Sequence, residues 1–264
     1  MMFASEKRER AHDPPRSSNR PGTGKTMLVR AAARESECIL FCCTSSALTS
    51  KWHGEGEKIL RTLFAVAVDA APSIVLFDEI DALLSARRGD GSEHEASRRF
   101  KTEFMVQVDG VASATSNEED GDLGRRVLVL GCSNCPWDID DAVMRRFQRR
   151  IYVPLPDAEA RRFLLDKLLS KERGGHSLSE RDVQSVVDRT EGFSCSDIAA
   201  MAQEAAFRPL RDLGSVSAVQ RCDPDDVRKI NKRDFDEALA STKRSVSNEL
   251  LEKYRIWEDE QSVR

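Results

Sequence analysis

The chain has 264 residues, 40 % hydrophobic and 33 % charged, with Lys+Arg 41 against Asp+Glu 45 for a formal charge of −4. That is room for one large or two smaller domains; it gives no global basic field of the kind nucleic-acid binding uses, and no run nears the ~18 apolar residues of a membrane span. The start, MMFASEKRER, lacks the apolar core of a signal peptide, and seven cysteines without a paired, secreted-type framework read as reduced thiols of the cytosol or nucleus.

The first eighteen residues are anomalous. A phosphate-binding loop should leave the end of a buried strand, yet Pro14-Pro15 and the charges around them cannot form one. Residues 1–20 are therefore expected to be an atypical, disordered N-terminus produced by a truncated or misjoined start. The loop itself follows as Asn19-Arg20-Pro21-Gly22-Thr23-Gly24-Lys25-Thr26. Gly22 and Gly24 let successive backbone N–H groups turn inward on an anion. Lys25 adds a point charge, Thr26 a hydroxyl able to hold Mg2+, and the helix Met27 to Glu37 presents its N-terminus to phosphate. Asn19 stands where the first Gly of G-x-x-x-x-G-K-[ST] belongs. Taken alone, the loop could equally be a surface turn with a chance lysine.

Cys38 to Cys43 is a short apolar run, expected as a buried strand. Leu48 to Gly56 reads as a loop in which Lys51-Trp52-His53-Gly54 sets a tryptophan among polar residues, either folded back on its domain or free to grip an extended peptide. Glu57 to Asp69 has helical period. Ser73 to Phe77 is the clearest strand, and it ends in Asp78-Glu79, which places two acids on the ligand side of a parallel sheet. Asp78 would hold Mg2+ and Glu79 would polarise an attacking water. The pairing of Asp78-Glu79 with Gly24-Lys25-Thr26, one crossover apart, decides for a nucleotide site.

Glu93 to Gly110 is expected as a helix, Ser113 to Gly124 as an acidic loop, and Val127 to Gly131 as another buried strand. Asn134 follows it at the same sheet edge, suited to orienting water or simply to forming a turn. Cys132 and Cys135 make a C-x-x-C, but no second pair or nearby His completes a zinc site. Arg145-Arg146 end a short helix, as a solvated face or as arginines inserted into a neighbouring subunit's site. Arg150 to Val153 is expected as a last short strand. Strands alternating with helices, without hairpin turns, specify a parallel α/β sheet. Beyond Pro154-Leu155-Pro156 only helices are expected: Asp157 to Lys171, Ser179 to Thr190, Ser194 to Arg211 with a Ser194/Asp197 capping box, Lys232 to Thr242 and Ser247 to Glu258.

Seven ordered strings, PGTGKTML, LTSKWHGEGEKILRTLF, SIVLFDEIDALLSARRG, EHEASRRFKTEF, PWDIDDAVMRRFQRRIYVPLPD, GFSCSDIAAMAQEAA and KRSVSNELLEKYRIW, resemble the AAA ATPases of the meiotic clade. That clade holds katanin, spastin, fidgetin and the ESCRT-disassembling ATPases, and the likeness is most katanin-like. The resemblance runs from about Pro21 to Trp257. It implies an AAA-type P-loop parallel sheet flanked by helices, over residues 21–155, with its first strand missing. A small all-helical lid domain (156–245) and a C-terminal helix (246–264) that supports the ring follow.

It also implies a homo-hexameric ring that hydrolyses ATP with Mg2+ to thread a polypeptide. ATP would be bound by Pro21, Gly22, Thr23, Gly24, Lys25, Thr26 and Met27, with Mg2+ on Thr26 and Asp78. Glu79 would be the base, Asn134 the sensor, and Arg145 and Arg146 the finger arginines. Lys51, Trp52 and His53 fall at the first pore loop; His94, Arg98 and Arg99 fall at the second. The expected partner is tubulin's glutamate-rich tail, on microtubules in the cytoplasm. ESCRT-filament disassembly and a degenerate, non-hydrolysing subunit are the alternatives, the latter suggested by Asn19, by Cys195 in place of a family Gly, and by the missing strand.

Overall fold

The computed structural model describes residues 22–48, 55–85, 93–116, 126–172, 174–223 and 226–262. The expectations placed on residues 1–21, including Pro21, and on the segment Lys51-Trp52-His53 lie outside them. The chain divides into two compact units, Lys25–Tyr152 and Val153–Arg264, the second also taking in residues 22–24.

The first unit is built on a parallel sheet. Helix α1 (Lys25–Glu35) leads to strand β1 (Ile39–Thr44) and the single turn α2 (Ser45–Leu48). Then come α3 (Gly56–Asp69), β2 (Ser73–Asp78), the short α4 (Ile80–Leu84), α5 (Glu93–Ser116), β3 (Val127–Gly131) and α6 (Asp141–Met144). The strand order is β1-β2-β3, all parallel, with Ile39 opposite Ser73 and Ser73 opposite Val127. β2 is central because its Ile74, Val75, Leu76 and Phe77 can be buried on both faces, as a parallel strand requires. α3 turns Leu60, Phe64 and Ala67 inward at helical spacing. Phe77 then meets Phe64 in a stack at 6.2 Å and Phe104 of α5 edge-on at 5.0 Å.

The second unit is helical: α7 (Ala158–Leu169), α8 (Glu180–Arg189), α9 (Cys195–Arg211), α10 (Val216–Arg221), α11 (Lys232–Ser241) and α12 (Asn248–Ser262). Its own core joins Leu165, Val186, Ile198, Met201 and Phe235. Three of its helices, α8, α9 and α11, start with complete capping boxes, the one on α9 formed by Ser194 and Asp197 as the sequence implied.

Three expectations need correction. Arg150 to Val153 forms no strand, because its backbone has no strand beside it among the described residues, and a ladder needs a partner. α5 runs on to Ser116, past Gly110 and into the stretch read as loop. The first helix starts at Lys25 and ends at Glu35, and Glu37 just beyond adopts φ +52, a left-handed conformation that stops helical propagation.

Candidate functional site

The C-terminal ends of the three strands carry the polar groups. β2 ends in Asp78, whose backbone partner across the ladder is Thr44, and β3 runs directly into Cys132 and Asn134. α1 begins at Lys25, and Gly24 before it has φ +87, a region in which a side chain would be strained.

Lys25 Nζ donates to Asn134 Oδ1 at 2.6 Å, and Thr26 Oγ1 donates to Asp78 Oδ2 at 2.9 Å. The other oxygen of Asp78 accepts the Glu79 amide at 3.0 Å. Glu79 itself sits at φ +54, ψ +46, a left-handed position for a residue with a side chain and a form of strain that concentrates at functional sites. The sequence motifs from three separate elements therefore meet in one cluster of five side chains.

Burial pulls the Lys25 ammonium below its ordinary value, while the carboxylates of Asp78 and Asp81 act in the opposite direction. A half-buried ammonium at the N-terminus of a helix is suited to receive an anion. Thr26 and Asp78 offer two hard oxygen donors in contact, the donor type Mg2+ takes. Among the described residues no three His, Cys, Asp or Glu come together as a metal cage. Burial pushes the Cys132 thiol up to about 12, which keeps it protonated and a poor metal ligand at neutral pH.

Two functional side chains went unread in the sequence. Ser45 Oγ donates to Glu79 Oε2 at 3.3 Å, and Asp81 Oδ1 accepts the Asn134 amide at 3.3 Å. The register explains the first: one step beyond the Thr44–Asp78 pair, Ser45 comes level with Glu79. That signal is available only once the strands are aligned.

Gly22 is docked closely. Its carbonyl accepts the Ser196 amide at 3.1 Å, and a Cβ on it would fall 1.8 Å from Ser196 Oγ. Of the remaining expected site residues, Met27 is exposed on α1. Arg145 is exposed just past α6, while Arg146 is held by Asp109 of α5 at 3.1 Å and by the Ala142 carbonyl at 2.9 Å. His94, Arg98 and Arg99 belong to the first turns of α5, with Arg98 and Arg99 exposed and Arg99 paired to Glu95.

Three family models match the chain. The family model for the ATPase family associated with various cellular activities (AAA) matches residues 18–155. The AAA+ lid domain matches residues 180–237, and the Vps4 C terminal oligomerisation domain residues 222–261. An uncharacterized AAA domain-containing protein of Schizosaccharomyces pombe is 48% identical over 91% of this chain and 32% of its own length. Spastin of Gallus gallus is 46% identical over 90% of this chain and 36% of its own. The chain thus spans about a third of the length of these curated relatives.

Among solved structures, the FIGL-1 AAA domain superposes with a TM-score of 0.78 at 40% identity, covering 91% of this chain and 74% of that one. Its complex with ADP gives 0.78 at 39% identity, with 91% and 75% covered. A structure described as the basis for katanin self-assembly gives 0.71 at 35% identity, with 90% and 75% covered.

Proposed function

This chain belongs to the AAA ATPase family, close to the spastin, katanin and fidgetin type, and from that premise we propose a Mg-ATP hydrolase that assembles as a hexameric ring and pulls polypeptide through its pore. The observation that carries the reading is the meeting of Lys25, Thr26, Asp78, Glu79 and Asn134 at one end of a parallel sheet. Residues Pro21, Gly22, Thr23, Gly24, Lys25, Thr26 and Met27 bind ATP, Lys25 through the outer phosphates. Thr26 and Asp78 hold Mg2+, which offsets phosphate charge when bound. Glu79 accepts a proton from the attacking water, and Asn134, tied to Lys25, orients that water. Arg145 and Arg146 complete a neighbouring subunit's site.

Assembly is supported by the match of residues 222–261 to an oligomerisation domain and by the likeness to the katanin structure. The polypeptide we assign is tubulin's acidic tail on cytoplasmic microtubules, in keeping with the spastin and katanin likeness and with the local cations Lys51, Arg98 and Arg99. Lys51, Trp52 and His53 form the first pore loop, and His94, Arg98 and Arg99 the second. The working division is a nucleotide-binding domain over 21–155, a lid over 156–245 and a ring-supporting C-terminal helix over 246–264.

Phosphate release with Mg-ATP tests the chemistry. Glu79→Gln should keep nucleotide binding and lose turnover by ~10²-fold or more; undiminished turnover would remove Glu79 from the role. The same variant, loaded with ATP, should sediment with intact microtubules and not with microtubules stripped of their acidic tails. Equal sedimentation with both, or capture by ESCRT filaments instead, would overturn the assigned substrate.

A further inference from the structure

The phosphate loop's first glycine rests on the first turn of α9. Besides the Ser196 amide bond to its carbonyl, a Cβ on Gly22 would also meet Ser196 Cβ at 2.3 Å, so backbone lies against backbone with no space for a side chain. That turn of α9 is closed by its capping box: Ser194 is fully buried, Asp197 accepts the Ser194 amide at 2.9 Å, and the Ser194 hydroxyl accepts the Asp197 amide at 3.2 Å. A capping box is complete with two residues. Here a third arrives from the connector between α11 and α12.

Ser245 gives both its amide, at 3.2 Å, and its hydroxyl, at 2.9 Å, to Asp197 Oδ2, the oxygen that also takes the Ser194 amide. The same hydroxyl lies 3.1 Å from Ser194 Oγ, which in turn lies 3.1 Å from Ser196 Oγ. Next to it, the Arg244 guanidinium covers Gly192, where a Cβ would come within 3.2 Å of Cζ. Two consecutive connector residues therefore meet this region, Arg244 at Gly192 and Ser245 at the α9 capping box against which Gly22 rests. All of these residues fall in the helical unit, together with residues 22–24.

We infer that Ser245 is a positioning residue for the phosphate loop: through Asp197, Ser194 and Ser196 it fixes the backbone of Gly22, and so sets how tightly a polyphosphate is held. The inference rests on the nucleotide reading of that loop. A cradle that recognises phosphate by backbone N–H groups depends on those groups being held before the ligand arrives, because ordering them on binding costs affinity. Ser245 touches none of the groups that would act on water. Its loss should appear in affinity and in KM for ATP, with little change in kcat at saturation.

Three variants test this in the full chain: Ser245→Ala, Ser245→Thr, which keeps the hydroxyl, and Ser247→Ala. Ser247 is a nearby serine, exposed like Ser245, whose hydroxyl instead accepts the Leu250 amide at 3.2 Å at the start of α12. Amide hydrogen exchange without nucleotide should speed up in residues 22–26 and 194–197 for Ser245→Ala alone. Binding of a fluorescent ATP analogue should weaken about fivefold, the equivalent of one net hydrogen bond, with Ser245→Thr restoring it. Unchanged exchange at residues 22–26, or an equal loss from Ser247→Ala, would overturn the inference. A wild-type chain that binds no nucleotide would instead sink the functional reading, and the exchange comparison would still decide whether Ser245 holds the loop.

Discussion

Thr26 and Asp78, 52 positions apart, are joined by a 2.9 Å hydrogen bond from the threonine hydroxyl to the carboxylate. The bond links the start of α1 to the end of β2, and it brings together the two protein oxygens best suited to share a divalent cation. Asp78→Asn keeps the shape but removes the charge. Nucleotide affinity of the wild-type chain should fall when Mg2+ is chelated, and that Mg2+ dependence should be lost in Asp78→Asn. Titrations of ATP with and without chelator read both, and a variant that still gains from Mg2+ as the wild type does would refute the assignment of Asp78.

Lys25 carries a stability cost that its function would explain. Burial lowers its pKa below the ordinary 10.5, so between the lowered value and 10.5 the unfolded chain binds more protons than the folded one. Stability from this group is therefore fully present above about 10.5 and falls as pH drops through the folded-state pKa. At pH 7 the charged, partly desolvated ammonium is a burden. Lys25→Met should raise the thermal midpoint by about 1–3 °C while abolishing ATP binding. A lowered midpoint would show that the bond to Asn134 outweighs the desolvation.

Gly22 has no room for a methyl group. Gly22→Ala would place a Cβ 1.8 Å from Ser196 Oγ and 3.1 Å from the Ser196 amide nitrogen. The loop must then leave the α9 turn, and ATP affinity should fall about tenfold or more. Adding Ser196→Gly removes the two nearest atoms and should recover part of the loss, which equilibrium binding can measure. No recovery would mean that the alanine acts within the loop itself.

How much of this was legible beforehand follows from the range of each signal. Gly24-Lys25-Thr26, Asp78-Glu79 and the Ser194/Asp197 cap are contiguous or three residues apart, and each declares itself locally. The central strand was legible because Ile74 to Phe77 is apolar on both faces. Ser45 on Glu79, Asp81 on Asn134 and Ser245 on Asp197 were not, since they depend on register or on a contact 34, 53 or 48 residues away. Arg150 to Val153 was over-read for the converse reason: its apolar character is local, but a strand exists only beside another. Leu128 of the edge strand β3 stays 48% exposed, which fits the lack of a further described strand beside it.

The helical unit holds a buried charge that should control its acid stability. Asp234, 3% exposed at the start of α11, accepts from Arg228 at 2.7 and 2.8 Å and from the Asn231 amide at 2.9 Å. Burial alone would raise the carboxyl's pKa, yet the Arg228 and Asn231 hydrogen bonds bring it below the ordinary 3.8. A depressed carboxyl contributes stability that is present above about 3.8 and is lost as pH falls through the lower folded-state value. Arg228 is 39% exposed on its side chain, so water screens part of the pair and the full figure for a buried ion pair does not apply. Asp234→Asn should therefore cost about 1–3 kcal/mol at pH 7. The difference from wild type should shrink as pH is lowered past 3.8, because the wild-type carboxyl is then being neutralised as well. Denaturant midpoints at pH 7 and near pH 3 test this. A difference that stays constant across that range would place the role of Asp234 in its cap geometry alone, with no part for its charge.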